Sequence, residues 1–133
     1  MEIISSSQNS FVKKVKGLYL KKNRDKLGVF LIDGLRFVEE AIKAKASIKN
    51  LIMAKSFFEK YRQEPDHYES VFLQEYLEQS MDLDRDEGGI VVLEDILQKS
   101  ISDTQQSQGI MAIIEKSFDS IDKSHDLLKN SSF

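Results

Sequence analysis

Cysteine and tryptophan are both absent from this 133-residue chain, and proline occurs once. Without cysteine there is no disulfide, no thiolate zinc site and no cysteine nucleophile, a set of exclusions easiest to reconcile with a cytoplasmic home. Long apolar runs are missing too: the longest, Ile110 to Ile114, has five residues, where a membrane-spanning helix needs about 20. The N-terminus, Met-Glu-Ile-Ile-Ser-Ser-Ser-Gln, lacks the basic start and apolar core of a secretory signal. What is present, 41% hydrophobic and 31% charged residues, fits one soluble domain long enough to bury most of its apolar surface.

Catalytic signatures are also scarce. His67 and His125 stand in charged segments without ligand-spaced partners and read as surface residues, so no metal site is expected. There is no G-x-G-x-x-G and no G-x-x-x-x-G-K-[ST]. Asp33-Gly34 offers a single glycine, too little for the close backbone approach that a nucleotide loop requires. Glu39 and Glu40 are neighbours and diverge on a helix. Asp82-x-Asp84-x-Asp86 resembles the start of a calcium loop, but Glu87 stands where that loop needs glycine and Leu93 where it needs glutamate. No catalytic residue is assigned.

The charge is unevenly spread. Residues 1–62 carry 14 Lys+Arg against 6 Asp+Glu, and residues 63–133 carry 5 against 16, so halves of +8 and −11 lie behind a net −3. Binding depends on the local field rather than the average. The densest basic stretch holds Lys13, Lys14, Lys16, Lys21, Lys22, Arg24 and Lys26 against Asp25 alone. It is the first candidate for a phosphate-facing surface.

Hydrophobic spacing predicts one amphipathic helix over 9–22, with Phe11, Val12, Val15, Leu18 and Tyr19 on one face and Leu20 out of place among the lysines. Apolar stretches predict strands at 29–32, 48–54, 90–93 and 110–114, the first a short continuous run of the kind covered on both faces. Helical spacing returns at 35–45, 56–61, 67–81 and 94–99, with Pro65 between the middle two. Residues 28–54 then form a βαβ unit. The alternation predicts an α/β fold, a three-layer α/β/α sandwich with a four-stranded sheet. Phe11, Phe30, Phe37, Phe57, Phe58 and Phe72 read as core. From Glu115 the pattern dissolves into Ser, Asp and Lys.

Three segments resemble one family. Ile4-Ser5-Ser6-Ser7-Gln8-Asn9-Ser10-Phe11-Val12-Lys13 is similar to I-S-x-x-N-x-x-V-K, with one residue of slack after Ser5. Phe30 to Ala41 is similar to F-[IL]-x-E-G-x-R-x-V-x-E-A, and Ser102 to Ala112 to S-D-T-x-x-P-Q-G-[IV]-x-A. Together they resemble the N-terminal substrate-binding domain of the SpoU/TrmH RNA 2′-O-ribose methyltransferases. Asp33 replaces the family's Glu, shortening that carboxylate's reach, and Ser107 replaces its Pro, which should loosen the turn before Gln108. The resemblance implies a fold like that of RNA-binding ribosomal proteins, with residues 1–116 an RNA substrate-binding domain and 117–133 a linker or disordered tail. It also implies a separate catalytic domain that binds S-adenosylmethionine and forms the homodimer. That domain's N-P-x-N-x-G-x-[IL]-x-R signature is missing here, so this chain alone is not expected to be an enzyme.

The expected partner is RNA, ribosomal RNA above all, and not a membrane, because the apolar face of the first helix is needed for the core. Lys13, Lys16, Lys21, Lys22 and Arg24 are candidates for phosphate contact or merely a solvated helix face. Arg36 reaches a phosphate or a splayed base, or pairs with Asp33 or Glu40. Asn9 is a helix cap or an RNA contact, and Asp33 a cap rather than a ligand. Gln108 and Gly109 meet a base edge and let a partner approach, or simply make a turn. Two other readings stand beside the methyltransferase domain. One is a stand-alone RNA-binding protein of ribosomal-protein type, and the other a module whose acidic half docks a basic protein.

Overall fold

A computed structural model describes residues 3–63, 71–81, 89–104 and 106–116. Pro65, both histidines, the acidic loop 82–88 and the tail 117–133 lie outside the described residues. In chain order the elements are β1 (Ile3–Ile4), α1 (Ser10–Gly17), α2 (Lys21–Leu27), β2 (Val29–Asp33), α3 (Leu35–Lys43), β3 (Ile48–Ala54), α4 (Lys55–Gln63), α5 (Val71–Met81), β4 (Gly89–Leu93), α6 (Asp95–Ile101) and β5 (Ile110–Glu115).

The strands form one sheet in the order β1-β4-β3-β5-β2. β1, β4 and β3 run parallel, and β5 is antiparallel to both β3 and β2. The four expected strands are present, and β1 makes a fifth. Two isoleucines carry too little pattern to mark a strand by themselves. Their pairing with Val92 and Leu93, and the Glu94 N–H donating to the Ile4 carbonyl at 2.9 Å, set them in place. The expected βαβ unit keeps its direction, but β5 lies between β2 and β3.

Continuous apolar strands follow from burial on both faces. Along β5, Ile110, Ala112 and Ile114 face a cluster with Val38 of α3, Phe57, Phe58 and Tyr61 of α4, and Leu73 and Leu77 of α5. Met111 and Ile113 face the opposite cluster with Val12 and Val15 of α1, Leu18, and Leu97 and Ile101 of α6. β3 alternates likewise, Leu51 and Met53 to the first cluster and Ile52 to the second. The sandwich therefore has three layers. Each such fully buried aliphatic side chain contributes about 1.5–3 kcal/mol.

Two expectations need correction. The single helix over 9–22 is two helices. α1 stops at Gly17, whose carbonyl accepts from Asn23 Nδ2 at 2.9 Å, while Arg24 Nη1 donates to the Leu18 carbonyl at 2.9 Å. These side chains satisfy carbonyls that a helix end leaves without partners. Leu20, extended at the start of α2, is thereby freed from the lysine face where continuous spacing had put it. The second concerns the aromatics: Phe57 and Phe58 are buried, but Phe37 and Phe72 are 54% and 41% exposed.

Candidate nucleic-acid interface

Register fixes one end of the sheet. Asp33 pairs with Met111, Met53 with Ile110, and Leu93 with both Ala54 and Ile4. The ends of β1, β2, β3 and β4 and the start of β5 therefore converge. The loops issuing there hold all three family-like segments, and the second and third are joined by side chains. Ser102 Oγ donates to the Asp33 carboxylate and also accepts from Thr104 N at 3.3 Å. Gln108 Oε1 accepts from Leu35 N at 2.8 Å. The first turn of α3 is thus capped by Gln108 from a distant loop. Asp33, expected as that cap, instead fastens the α6–β5 loop, and the cap position itself is Gly34.

Gly34 (φ 110°) and Gly109 (φ 88°) occupy backbone conformations that side chains rarely adopt. A Cβ on Gly109 would lie 3.3 Å from Ala54 Cβ and 3.4 Å from Phe57 Cβ. The Gly109 carbonyl accepts from Ala54 N at 2.8 Å, and its N–H donates to Ser107 Oγ at 3.2 Å. Gly109 is therefore buried with both backbone groups engaged, an arrangement that suits its expected alternative as a turn residue and lets the loop pack closely on Ala54 and Phe57. Ser107 does not loosen the turn. Its hydroxyl is tied to the amide of Gln98, 2.8 Å from Nε2 and 3.1 Å from Oε1, and Gln98 is only 1% exposed. The hydroxyl does by hydrogen bonding what a proline ring would do by stiffness.

The electrostatics at this end are acidic below the surface. Burial raises the Asp33 carboxyl above its ordinary value, with Asp103 adding to the rise and the Ser102 hydrogen bond opposing it. Tyr19 donates its hydroxyl to the Ile101 carbonyl at 2.5 Å. Burial, then Asp33 and Asp103, push its phenol up to about 12. A neutral phenol that stays protonated is a dependable donor for that bond.

The cations divide by their partners. Asn9 Oδ1 caps α1, accepting from Phe11 N at 2.8 Å and Val12 N at 3.3 Å. Lys21 pairs with Asp25 at 2.7 Å, and Lys116 lies 3.8 Å from the same carboxylate. Arg24 holds the Leu18 carbonyl. Lys13, Lys16 and Lys22 are exposed and form no ion pair among the described residues. Arg36, in the first turn of α3, is exposed and forms no ion pair among the described residues: Asp33 is held by Ser102, and Glu40 lies 3.8 Å from Lys43. Near the start of α3 a shallow groove is lined by Leu35, Ser56, Phe57, Glu59, Lys60, Gln63 and Gln108, so that Lys60 shares it with the carboxylate of Glu59. Among the described residues Gln108 is bonded through its oxygen, and no hydrogen bond of its amide N–H groups is seen.

The structure therefore joins Gln108 to the first turn of α3, where Arg36 stands one residue beyond the groove-lining Leu35, and sets Lys13, Lys16 and Lys22 on α1 and α2. Sequence reasoning missed Ser102, Gln98 and the groove residues Lys60 and Gln63. Ser102 was legible within its family-like segment; the others carry no local signal.

Residues 9–112 match the family model of the MRM3-like substrate binding domain. The chain belongs to this family. A 53-residue stretch is 42% identical to the 23S rRNA (guanosine(2553)-2′-O)-methyltransferase RlmP of Bacillus subtilis, covering 40% of this chain and 21% of that protein. Among solved structures, an rRNA methyltransferase from Sinorhizobium meliloti matches with TM-score 0.64 and 20% identity over 88% of this chain and 38% of its own. The SpoU methyltransferase AviRb from Streptomyces viridochromogenes matches with TM-score 0.58 and 15% identity over 86% of this chain and 38% of its own. At such identities these likenesses show the fold. The MRM3-like domain thus spans well under half the length of the relatives it matches.

Proposed function

We propose that this domain is the RNA-reading part of a SpoU-type ribosomal RNA 2′-O-ribose methyltransferase, with methyl transfer performed by a domain outside residues 1–133. The observation that carries this reading is the substrate-binding family match over 9–112, on a chain whose exposed basic side chains include Lys13, Lys16, Lys22 and Arg36. The relatives are methyltransferases, which favours this reading over a stand-alone ribosomal protein. In this reading S-adenosylmethionine is held by that other domain, and the residues described here are given no part in methyl transfer.

Lysines supply phosphate contacts and counterion release, and Arg36 with Gln108 supplies a donor fork and amide donors for a splayed loop base. A cytoplasmic site of action and a homodimer formed through the catalytic domain accompany the reading. The test is binding of the chain to a 23S rRNA stem–loop centred on guanosine 2553, the nucleotide named for the Bacillus relative, against a duplex DNA of equal length. Preferential binding of the RNA is expected. Equal binding of both, or of neither, would overturn the proposal.

A further inference from the structure

Phe37 is the most exposed aromatic side chain among the described residues, at 54%. Phe57 and Phe58 are buried, and the exposed ring of Phe72 lies under Lys43 Nζ, 5.0 Å from its centroid. Phe37 belongs to neither apolar cluster, although its α3 neighbours Leu35 and Val38 pack into the first. The second family-like segment leaves this position open between Arg36 and Val38, so no motif places a ring here. The helix start does place it. Side chains of a helix lean toward its N-terminus, and Phe37 stands in the first turn of α3. A Cβ on Gly34 would lie 3.9 Å from Phe37 Cδ2 and 3.2 Å from Gln108 Oε1. The ring and the amide thus flank Gly34 from two parts of the chain, and Gly34 puts no side chain between them. Gln108, itself exposed, is fixed there by Leu35 N at 2.8 Å.

We infer that Phe37 is a stacking platform for an unpaired RNA base, with the Gln108 amide at the edge of that base. An aromatic ring left in water forgoes the burial energy that Phe57 and Phe58 gain, and a flat partner restores it. Unpaired bases are such partners: RNA readers stack them on aromatic faces and bind their edges through polar groups. A base inside a duplex is covered on both faces by its neighbours, so the platform selects loops, bulges and ends. The exposed Arg36, next in sequence, adds a positive charge for a flanking phosphate. That the polymer is RNA rests on the proposed function; the platform itself rests on the exposed ring and its place beside Gly34 and Gln108.

Two measurements on the 133-residue chain test this. The first is binding to the 23S rRNA stem–loop, over a range of salt, for Phe37→Ala, Phe37→Leu and Phe37→Tyr. Loss of one base stack should weaken binding by Phe37→Ala roughly fivefold to a hundredfold. Phe37→Leu keeps apolar bulk without a flat face and should be weakened too, whereas Phe37→Tyr should bind as the wild type does. The slope of log K against log salt should stay unchanged in all three, because no charge is removed. Thermal unfolding should hold, since the ring lies outside both apolar clusters. Wild-type affinity in Phe37→Ala or Phe37→Leu, or an equal loss in Phe37→Tyr, would overturn the platform while leaving the proposed function intact.

The second follows the Phe37 ring-proton NMR signals during titration with a short single-stranded oligoadenylate, whose bases are unpaired. An upfield movement is expected, since protons over the face of a stacked base are shielded. Should the stem–loop and duplex DNA bind equally while the ring signals move upfield, the proposed function falls and the base platform stands. Unmoved ring signals overturn the platform, whatever the affinity for the stem–loop.

Discussion

At the strand ends where β2, β3 and β4 finish, the polar side chains mostly hold one another. On α1 and α2, Lys13, Lys16 and Lys22 hold nothing among the described residues. Asp33 with Ser102 and Gln108 with Leu35 N join two loops about 70 residues apart in sequence (Ser102 and Asp33 are separated by 69 positions), and Gln98 with Ser107 ties the second of these loops to α6. The lysines carry their charge into solvent, where attraction to phosphate is long-ranged and salt-sensitive. The contrast teaches that the family-like motifs are chiefly a construction device. They fix the α3 start through Gln108 and Leu35, while in the proposed function affinity for a polyanion comes from Lys16 and Lys22, which no motif marks, together with Lys13 at the end of the first family-like segment.

Changes at the constructed end should therefore cost stability, the largest first. Gly109→Ala places a Cβ against Ala54 and Phe57 in a strained conformation and should lose roughly 2–3 kcal/mol in denaturant unfolding. Gln98→Ala removes a buried partner of Ser107 and should lose about 1–3 kcal/mol by the same measurement. Gln108→Glu sharpens the comparison: it keeps the acceptor for Leu35 N and puts a negative charge at a helix start, so stability should hold within about 0.5 kcal/mol. Without the amide donors, and with the added charge, RNA affinity should fall roughly tenfold. Unchanged affinity would confine Gln108 to the constructed end.

Asp33→Asn gives the smallest effect, visible as a pH dependence. Burial raises the folded carboxyl above its ordinary 3.8, so the folded chain holds this proton where the unfolded chain has released it. The wild type is therefore favoured below the unfolded value and loses that advantage as pH rises through the folded one. Asp33→Asn retains an acceptor for Ser102 and escapes that loss. Thermal unfolding from pH 3 to 7, in the range of roughly these carboxylate values, should show the variant gaining on the wild type as pH rises. Parallel curves would contradict the assignment.

Much of this arrangement was legible in the sequence because it rests on local pattern. Val29 to Ile32, Ile48 to Ala54 and Ile110 to Ile114 read as strands, the first as doubly covered, and all three stand in the sheet between the two apolar clusters. β1 escaped because two residues make no period, and the α1–α2 break escaped because Asn23 and Arg24 reach back to carbonyls that spacing alone does not register. At the site, Lys13, Lys16, Lys22 and Arg36 were legible as charges. Their freedom was not, since it depends on where Asp25, Asp33 and Glu40 find their own partners.

The most direct test of the account is the salt dependence of binding to the 23S rRNA stem–loop for the wild type and for Lys13→Gln/Lys16→Gln/Lys22→Gln together. If these unpaired lysines meet phosphates, the triple variant should flatten the slope of log K against log salt by about 2–3 with its unfolding temperature unchanged. A slope equal to the wild type's would mean that α1 and α2 present only a solvated face, and the division of labour proposed between the two regions would fail.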